Sequence, residues 1–153
     1  MDDTLTRLDP RFKRVMMIQS GIFSLFLLGA GIIGDLAIDG LPPVFTIAAL
    51  ILGIGLTFVL PIRRYHSRGY SMDDDRLRTV QGVWNHWDIL VPFTRVQHLD
   101  VHQGPLERAN GISTLVLHTA GTENSSVALP GLAYEDAIAM RDTIRDMVQA
   151  RSQ

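Results

Sequence analysis

The stretches VMMIQSGIFSLFLLGAGIIG (Val15–Gly34) and GLPPVFTIAALILGIGLTFVLPI (Gly40–Ile62) contain no Asp, Glu, Lys, Arg or His. A helix rises about 1.5 Å per residue, so each stretch is long enough to cross the roughly 30 Å of hydrocarbon in a bilayer. The segment that joins them, Asp35–Pro43, has room only for a hairpin loop. These residues therefore predict a two-helix transmembrane hairpin.

The hairpin divides the chain into three parts. We expect a cytoplasmic segment at residues 1–14, the hairpin at residues 15–62, with helices near 15–36 and 43–62, and a cytoplasmic domain at residues 63–153. A secretory signal peptide is the competing interpretation of the first stretch, because basic residues precede it. That stretch is longer than an ordinary signal sequence, lacks an A-x-A cleavage site and leads directly into a second span, so a retained anchor is favoured.

The charges beside the hairpin predict its orientation. The loop between the helices carries Asp35 and Asp39 but no Lys or Arg. Basic residues lie only on the outer flanks of the two stretches: Arg11, Lys13, Arg14, Arg63, Arg64 and Arg68. Lys and Arg are retained on the cytoplasmic side, where they also contact anionic lipid. We expect a multi-pass protein of the cytoplasmic membrane with both termini in the cytoplasm and a basic collar formed by Arg63, Arg64 and Arg68.

Composition excludes several classes of function. The mean hydropathy of +0.15 and the net charge of -2 average an apolar half with a polar half. Residues 69–153 hold more Asp and Glu than Arg, which argues against a nucleic-acid partner because binding phosphates needs a basic face. The absence of Cys excludes disulfides, thiolate catalysis and Cys-ligated metals. The bilayer is the partner that composition does predict.

Small residues recur at helical spacing within the two apolar stretches. Ala30 and Gly34 are four apart in the first stretch, as are Ala49 and Gly53 in the second. Small side chains let membrane helices approach closely, so these residues are candidates for the hairpin contact or for dimerisation, although Gly and Ala are common in any membrane helix. No ionisable residue lies inside either stretch, so the helices have the character of an anchor and not of a transport path.

The pattern changes to alternation after residue 68. In residues 96–103, Gln97, Leu99 and Val101 share one face of a strand, while His98, Asp100 and His102 share the other. Gly104-Pro105 breaks that strand, and Asn110-Gly111 signals a tight turn before a further strand at Ile112–Thr119. A turn is also expected at residues 121–125. In all, about six or seven short strands are predicted.

The last residues change period again. Ala137, Met140, Ile144, Met147 and Val148 fall on one helical stripe, with Arg141, Asp142, Arg145 and Asp146 on the other side. The fold class is therefore α+β, a transmembrane hairpin followed by an antiparallel sheet. We expect that sheet to bend strongly into a barrel whose open end the C-terminal helix covers.

Three segments of the chain resemble a known family. DDDRLR, VPFTRVQHLDVHQGPLERANGISTLVLHTAG and ALPGLAYEDAIAMRDTI are similar to the bacterial pleckstrin-homology-like domain of YdbS-type membrane proteins. Asn110 departs from the bulky residue usual before the glycine at 111. The resemblance implies a pleckstrin-homology-like barrel of about seven strands, capped by a C-terminal helix and attached to membrane helices. It implies no assigned biochemical activity and no catalytic residues, and it places the protein in a bacterial inner membrane.

A metal site is the sharpest alternative on these residues. His98, Asp100 and His102 share a strand face, with His118 on a neighbouring strand as a fourth ligand. Residues two apart on a strand are separated by about 6.5 Å, so convergence on one ion needs help from a neighbour. The competing interpretation is a row of outward polar residues on a half-buried sheet, which we favour; we expect no cofactor and no catalytic residue.

The acidic triplet and the scarcity of lysine bear on cation and lipid binding. Asp73-Asp74-Asp75 is expected to be a solvated turn, since adjacent carboxylates do not face one way. A phosphoinositide pocket needs several convergent basic side chains, whereas the only lysine is Lys13. The N-x-S match at Asn124 carries no meaning on the cytoplasmic side.

Five further polar or aromatic residues have two interpretations each. Arg95, Gln97 and Arg108 either support the fold, with Gln97 facing the core at a bend, or line a groove for a partner. Trp84 and Trp87 either close the barrel or rest at the membrane interface.

The sequence favours a membrane-anchored interaction or assembly module that binds a protein partner or a second copy of itself. The alternatives are a metal-binding or hydrolytic enzyme built on His98, Asp100 and His102, and a domain that recognises lipid headgroups.

Overall fold

The computed structural model describes residues 5–38, 42–120 and 126–151. The chain forms two compact units, residues 13–65 and residues 1–12 together with 66–153. Asp39, Gly40 and the turn expected at residues 121–125 lie outside the described residues.

Helix α1 extends over Pro10–Ala37. It begins five residues before the apolar stretch because Asp9 caps it: the Asp9 carboxylate accepts a hydrogen bond from the Arg11 N–H at 2.7 Å. Pro10 suits the first helical position, where its missing N–H has no partner to lose.

The second apolar helix is continuous from Val44 to His66. It consists of α2 (Val44–Ile54), a π-helical turn (Gly55–Val59) and α3 (Leu60–His66). This helix was expected to end near residue 62, but it continues through Pro61 to His66. A proline ring clashes with the carbonyl four residues earlier and supplies no N–H, and the wider π turn just before Pro61 accommodates this.

Asp35 caps the start of the second helix from the end of the first. Its carboxylate accepts hydrogen bonds from the N–H groups of Phe45 at 3.0 Å and Thr46 at 2.8 Å. Helix N-termini leave such N–H groups without partners, so a carboxylate there is favourable. The prolines Pro42 and Pro43 provide no capping side chain, which is why the cap comes from the other helix.

Close contacts between α1 and α2 use small residues. A Cβ added at Gly31 would lie 2.9 Å from the Phe45 carbonyl oxygen and 3.1 Å from the Ala49 Cβ. Ala49 and Gly53 are buried as expected, but Ala30 is exposed, so Gly31 takes the position that the sequence pattern assigned to Ala30.

A hydroxyl pair adds polar contacts to this packing. The Ser24 hydroxyl donates to the Ser20 carbonyl at 2.8 Å, lies 3.1 Å from the Gly53 carbonyl, and contacts the Thr57 hydroxyl at 2.9 Å. Hydrogen bonds of this kind between membrane helices contribute roughly 0.6 kcal/mol each.

The apolar surfaces of these helices are mostly uncovered. Only 6% of the apolar window in Pro10–Ala37 and 17% of that in Val44–His66 is buried within the protein. Large side chains such as Leu25, Phe26 and Leu36 are at least 70% exposed. A core helix of a soluble protein would bury this surface, whereas a membrane helix presents it to lipid.

The second unit contains two antiparallel sheets of three strands each. The first has the order β1 (Gly69–Met72), β2 (Arg76–Gln81), β3 (Trp87–Pro92), and the second the order β4 (Val96–His102), β5 (Ile112–Thr119), β6 (Ser126–Ala133). Among the described residues there are six strands in two separate ladders, so the expected closed barrel of about seven strands is not observed. A short 3-10 turn, Phe93–Arg95, separates β3 from β4 and lets the chain change sheets.

The N-terminal segment folds with this second unit. Thr6 pairs with Tyr70 of β1 in an isolated antiparallel bridge, and the Asp9 N–H donates to the Gly131 carbonyl at 2.8 Å. Leu8 and Phe12 are 3% and 7% exposed. Gly131 has φ +74, and a Cβ there would lie 2.6 Å from the Phe12 ring, so this approach requires glycine.

A short helix that the sequence pattern did not reveal follows β4. Helix α4 (Pro105–Ala109) occupies the place of the expected break and ends at Asn110, with Gly111 at φ +67. Glu107 holds it by accepting from the Gly104 N–H at 2.8 Å and from the Thr114 hydroxyl at 2.9 Å. Asn110-Gly111 therefore terminates a helix instead of joining two strands directly.

The C-terminal helix α5 (Tyr134–Arg151) packs against the second sheet. Ala137 and Ile144 of the predicted stripe are fully buried, which confirms that this face points into the core. Further fully buried large side chains come from both sheets and from the 3-10 turn between them: Leu77, Phe93, Ile112, Leu115, Leu117 and Leu129.

Candidate functional site

Two histidines of the second sheet share one carboxylate. His98 of β4 is directly opposite His118 of β5, and their rings are 6.0 Å apart. The Nε2 atom of His98 lies 2.9 Å from one oxygen of Asp100, and Nε2 of His118 lies 3.2 Å from the other. All three side chains are at least 42% exposed, so they form a hydrogen-bonded cluster on the sheet surface.

His102 does not join this cluster. His102 lies two positions after Asp100 on β4, pairs with Thr114 of β5 and is exposed. Within the described ranges, no group of three or more His, Asp or Glu side chains has the arrangement to hold a metal ion. The structure thus brings together three of the four weak metal candidates as hydrogen-bond partners and leaves the fourth apart.

The acidic triplet lies in the turn between β1 and β2. Asp75 pairs with Arg76 at 2.7 Å, and the Asp75 carbonyl accepts from the Phe93 N–H at 2.9 Å. The Asp73 N–H donates to the Arg76 carbonyl at 3.0 Å, closing the turn. The triplet therefore stabilises this turn through backbone hydrogen bonds and through the ion pair between Asp75 and Arg76.

Gln97 lies where the β4–β5 ladder is irregular. Val96 pairs with Thr119 and His98 with His118, so Gln97 has no partner residue at this bulge. Its side chain is exposed, and the expectation that it faces the core is wrong. A bulge adds one residue to a strand and breaks the two-residue alternation on which that expectation depended.

A groove of about 530 Å³ runs between β4 and α5. It is lined by Val96, Gln97, His98, Leu99, Arg141, Arg145, Val148 and Gln149. Successive side chains of a strand point to opposite faces, so the participation of four consecutive β4 residues means that the groove follows the edge of the strand. In the part of the chain that the structure describes, β4 has a hydrogen-bonded neighbour on one side only.

The groove combines an apolar floor with basic side chains. Val96, Leu99 and Val148 supply apolar contact, and no Asp or Glu is among the lining residues. Arg141 is half-buried and oriented by Asp142, with 2.8 Å between a guanidinium nitrogen and a carboxylate oxygen. Arg145, one helical turn further, is exposed.

Sequence reasoning placed these two arginines on the outer side of α5 and did not assign them a role. Their spacing of four residues puts both on one helix face, which is the signal that was present. The sequence could not predict that this face of α5 lies beside β4.

Arg95 and Arg108 do not join Gln97 in one site. Arg95 is exposed in the 3-10 turn before β4, and its carbonyl accepts from the Ala120 N–H at 3.0 Å. Arg108 is exposed on α4, beyond the opposite end of β4. A seven-residue strand is roughly 23 Å long at 3.3 Å per residue, so the two guanidinium groups serve different surfaces.

The basic collar is similarly distributed. Arg63 and Arg64 belong to the exposed end of α3, whereas the Arg68 guanidinium lies 5.6 Å from the centre of the Phe12 ring. This cation–π contact joins the link between α3 and β1 to Phe12.

The two tryptophans lie at the turn between β2 and β3. Trp84 is 86% exposed and Trp87 is 56% exposed, so neither closes the sheet or joins the core.

The chain is similar to a protein family and to a transmembrane protein. A family model described as "Bacterial PH domain" matches residues 22–148. The chain is 33% identical over 98 residues to the UPF0699 transmembrane protein YdbS of Bacillus subtilis (strain 168), covering 63% of this chain and 60% of that protein. The chain thus spans less than two thirds of the length of this curated relative.

A solved structure is also similar, at a lower level. The crystal structure of a duf1696 family protein with a pleckstrin-homology domain from Shewanella loihica PV-4 matches with a TM-score of 0.43 and 18% identity. The match covers 56% of this chain and 74% of that one. The resemblance to YdbS-type membrane proteins with a bacterial pleckstrin-homology-like domain is confirmed by the family match and by the relative.

Proposed function

Because this chain belongs to the bacterial PH domain family, we propose that it is a membrane-anchored interaction module whose β4–α5 groove binds an extended acidic segment of a partner protein. The observation that carries this proposal is that β4, within the described ranges, has a hydrogen-bonded neighbour on one side only and lies beside Arg141 and Arg145 of α5. The relative carries no assigned activity in its name, so the proposal depends on this geometry.

The groove offers each kind of contact that an extended peptide needs. An added strand gains main-chain hydrogen bonds along an open sheet edge, and pockets beside the edge select its side chains. Val96, Leu99 and Val148 would take apolar side chains, while Arg141 and Arg145 favour carboxylates. Arg–carboxylate pairs are strong, directional hydrogen bonds, so an acidic segment is preferred over a basic or neutral one.

Binding without catalysis is the function that the side chains favour. The His98–Asp100–His118 cluster is exposed, and a base that acts on a substrate needs a nucleophile or water held beside it in a sheltered pocket. The only ring of this cluster at the groove is that of His98, which adds a further polar contact for the bound segment.

Two features support a cytoplasmic location for the domain in a bacterial inner membrane. The first is the set of basic residues on the outer flanks of the hairpin, against none in the loop between Asp35 and Pro43. The second is the packing of residues 5–12 with residues 66–151, which requires both flanks of the hairpin to lie on one side of the bilayer.

A site-specific photocrosslinking experiment in native membranes tests the proposal. A photoreactive phenylalanine derivative replaces Gln97 at the groove or, as the matched control, His102, which is exposed at the other end of the same strand. We expect an adduct with another polypeptide from position 97 and not from position 102. Peptide mapping should place the adduct on a segment rich in Asp or Glu.

Charge reversal completes the test. Arg145→Glu should abolish most of the position-97 adduct by repelling carboxylates, while Arg108→Glu, an equal change on exposed α4, should leave it intact. Equal adducts from both positions, an adduct insensitive to Arg145→Glu, or an adduct mapped to a segment without carboxylates would each contradict the proposal.

A further inference from the structure

The connection between β2 and β3 presents an unusual concentration of exposed indole. The strands end at Gln81 and resume at Trp87, and the tip GVWNHW spans residues 82–87. Trp84 is 86% exposed and Trp87 is 56% exposed. Large aromatic side chains are usually buried, so two exposed indoles within one short connection mark an interaction surface.

The tip is held in shape by its backbone. Gly82 has φ +125, and a Cβ at this position would lie 1.7 Å from the Asn85 carbonyl oxygen. Only glycine fits so close an approach at this φ, so residue 82 closes the turn tightly. Trp84 belongs to this tight turn, and its side chain is exposed.

The charges around the tip suit a membrane surface. Residues 82–87 contain no Asp or Glu, and Asp88, the next residue in the chain, forms an ion pair with Arg78. The two Asp88 oxygens accept hydrogen bonds from Nε and Nη2 of Arg78 at 2.9 and 2.7 Å. The tip therefore presents aromatic and amide groups without a negative charge that anionic headgroups would repel.

Indole rings partition to the boundary between headgroups and acyl chains because the ring is apolar and its N–H stays hydrogen-bonded. A bilayer is also the one surface permanently near this domain, since the same chain carries two membrane-length apolar helices. The helices hold the tip at a high local concentration near the bilayer, because its contact with lipid is then intramolecular. Even a weak affinity of the tip for lipid is therefore enough for the contact to be occupied.

We propose that the β2–β3 tip is a membrane-contact site, in which Trp84 and Trp87 insert their indoles into the interfacial zone of the bilayer. The contact is independent of the peptide groove, which lies on the second sheet, whereas the tip belongs to the first. It gives the domain a second attachment to the membrane and fixes the face that it turns toward lipid.

The protein contains its own reporter for this contact. Trp84 and Trp87 are the only two tryptophans in the chain, so intrinsic fluorescence arises from the tip alone. The full chain is reconstituted into vesicles of phosphatidylcholine and phosphatidylglycerol, with or without phosphatidylcholine brominated near the top of its acyl chains. We expect brominated lipid to remove most of the emission, while acrylamide in the aqueous phase quenches weakly.

A relocated tryptophan provides the matched control. Trp84→Phe, Trp87→Phe and Tyr134→Trp combined place the only indole on α5, at a site where the native Tyr134 is 43% exposed. That protein should show the opposite behaviour, with strong acrylamide quenching and little effect of brominated lipid. The single variants Trp84→Phe and Trp87→Phe report each indole separately, and both are expected to be quenched by lipid.

Two results would overturn the membrane-contact site. Strong acrylamide quenching of the wild type, equal to that of the relocated tryptophan, would mean that the tip stays in water. Protection from acrylamide without quenching by brominated lipid would mean that a second copy of the chain covers the indoles. Neither result would alter the outcome of crosslinking at Gln97.

Discussion

At the scale of single residues, the pair formed by Arg78 and Asp88 links the tip to the protonation state of the domain. The Arg78 hydrogen bonds hold the pKa of Asp88 below its usual value, against an opposing effect of desolvation. A group with a depressed folded-state pKa stabilises the fold above its unfolded pKa, near 3.9, and loses that contribution as the pH falls through the folded value.

We therefore predict that Asp88→Asn lowers the thermal midpoint of the domain slightly at neutral pH, with the difference from wild type disappearing below about pH 4. The pair is largely exposed, so the effect should stay within about 1 kcal/mol. Thermal unfolding of the full chain in detergent between acidic and neutral pH measures it. A difference that grew on acidification would contradict the sign of this linkage.

The residue scale also shows what alternation in the sequence could and could not predict. The outward set of β4 was predicted correctly, since His98 and Asp100 lie together on the exposed face. Gln97 was assigned to the wrong environment because one bulge, set by backbone pairing with β5, shifts the phase of the pattern. The alternation can be read from the sequence of β4 alone. The bulge cannot, because it depends on how β4 pairs with β5.

At the scale of elements, helix α5 carries the stability of the second sheet through Ile144, which is fully buried. Ile144→Asp would place a carboxylate in this core without a partner and should cost about 3 kcal/mol or more. Domains of this size have little stability in reserve, so we expect the domain to unfold while the hairpin stays in the membrane fraction.

Limited proteolysis of membranes measures this outcome. The variant should lose the protease resistance of its domain, whereas Ala139→Asp, the same charge at an exposed position of α5, should retain it. Normal resistance in Ile144→Asp would show that α5 does not hold the sheet.

The elements that the sequence predicted are those with long, unmixed periodicity. Both apolar helices, the strand at Ile112–Thr119 and the C-terminal helix were recognised in this way. Helix α4 was missed because five residues beginning with Pro105 contain less than two helical turns, and Gly104-Pro105 has the same composition as a plain strand break. Its stability comes from Glu107, whose contacts to Gly104 and Thr114 are tertiary as well as local.

At the scale of the whole molecule, the predicted topology has both flanks of the hairpin in the cytoplasm. The chain has no Cys, so single cysteines introduced as Ile38→Cys, Arg7→Cys or Ala120→Cys can be labelled selectively. All three positions are exposed. An impermeant maleimide added to intact cells should label residue 38, and residues 7 and 120 only after permeabilisation.

Labelling at 120 without labelling at 38 would invert the orientation. Labelling at 7 and 120 under different conditions would contradict the packing of the N-terminal segment with the domain. The first outcome tests the orientation predicted from the basic residues. The second tests whether residues 5–12 pack with the domain. Labelling at three sites therefore tests the orientation and the packing separately.

The division into two sheets was not predictable from the alternation in the strands. Alternation predicts which side chains share a face of a strand, but it does not predict which strands pair with each other. Likewise, the sequence of residues 5–12 did not predict that this segment packs with the domain. Leu8 and Phe12 are isolated apolar residues in a polar segment and form no periodic pattern. The burial of Phe12 depends on Gly131, more than a hundred positions away in the chain, whose missing side chain leaves room for the Phe12 ring.

That contact between Phe12 and Gly131 sets the order of events during synthesis. The ribosome adds roughly 5 to 20 residues per second, so Phe12 waits on the order of ten seconds before Gly131 is translated. Both apolar helices are made in this interval, and Phe12 can reach its packed position only after β6 has been made. In the topology that we propose, the domain can therefore complete its fold only after both helices have crossed the bilayer and brought residues 66–133 back to the side that holds Phe12.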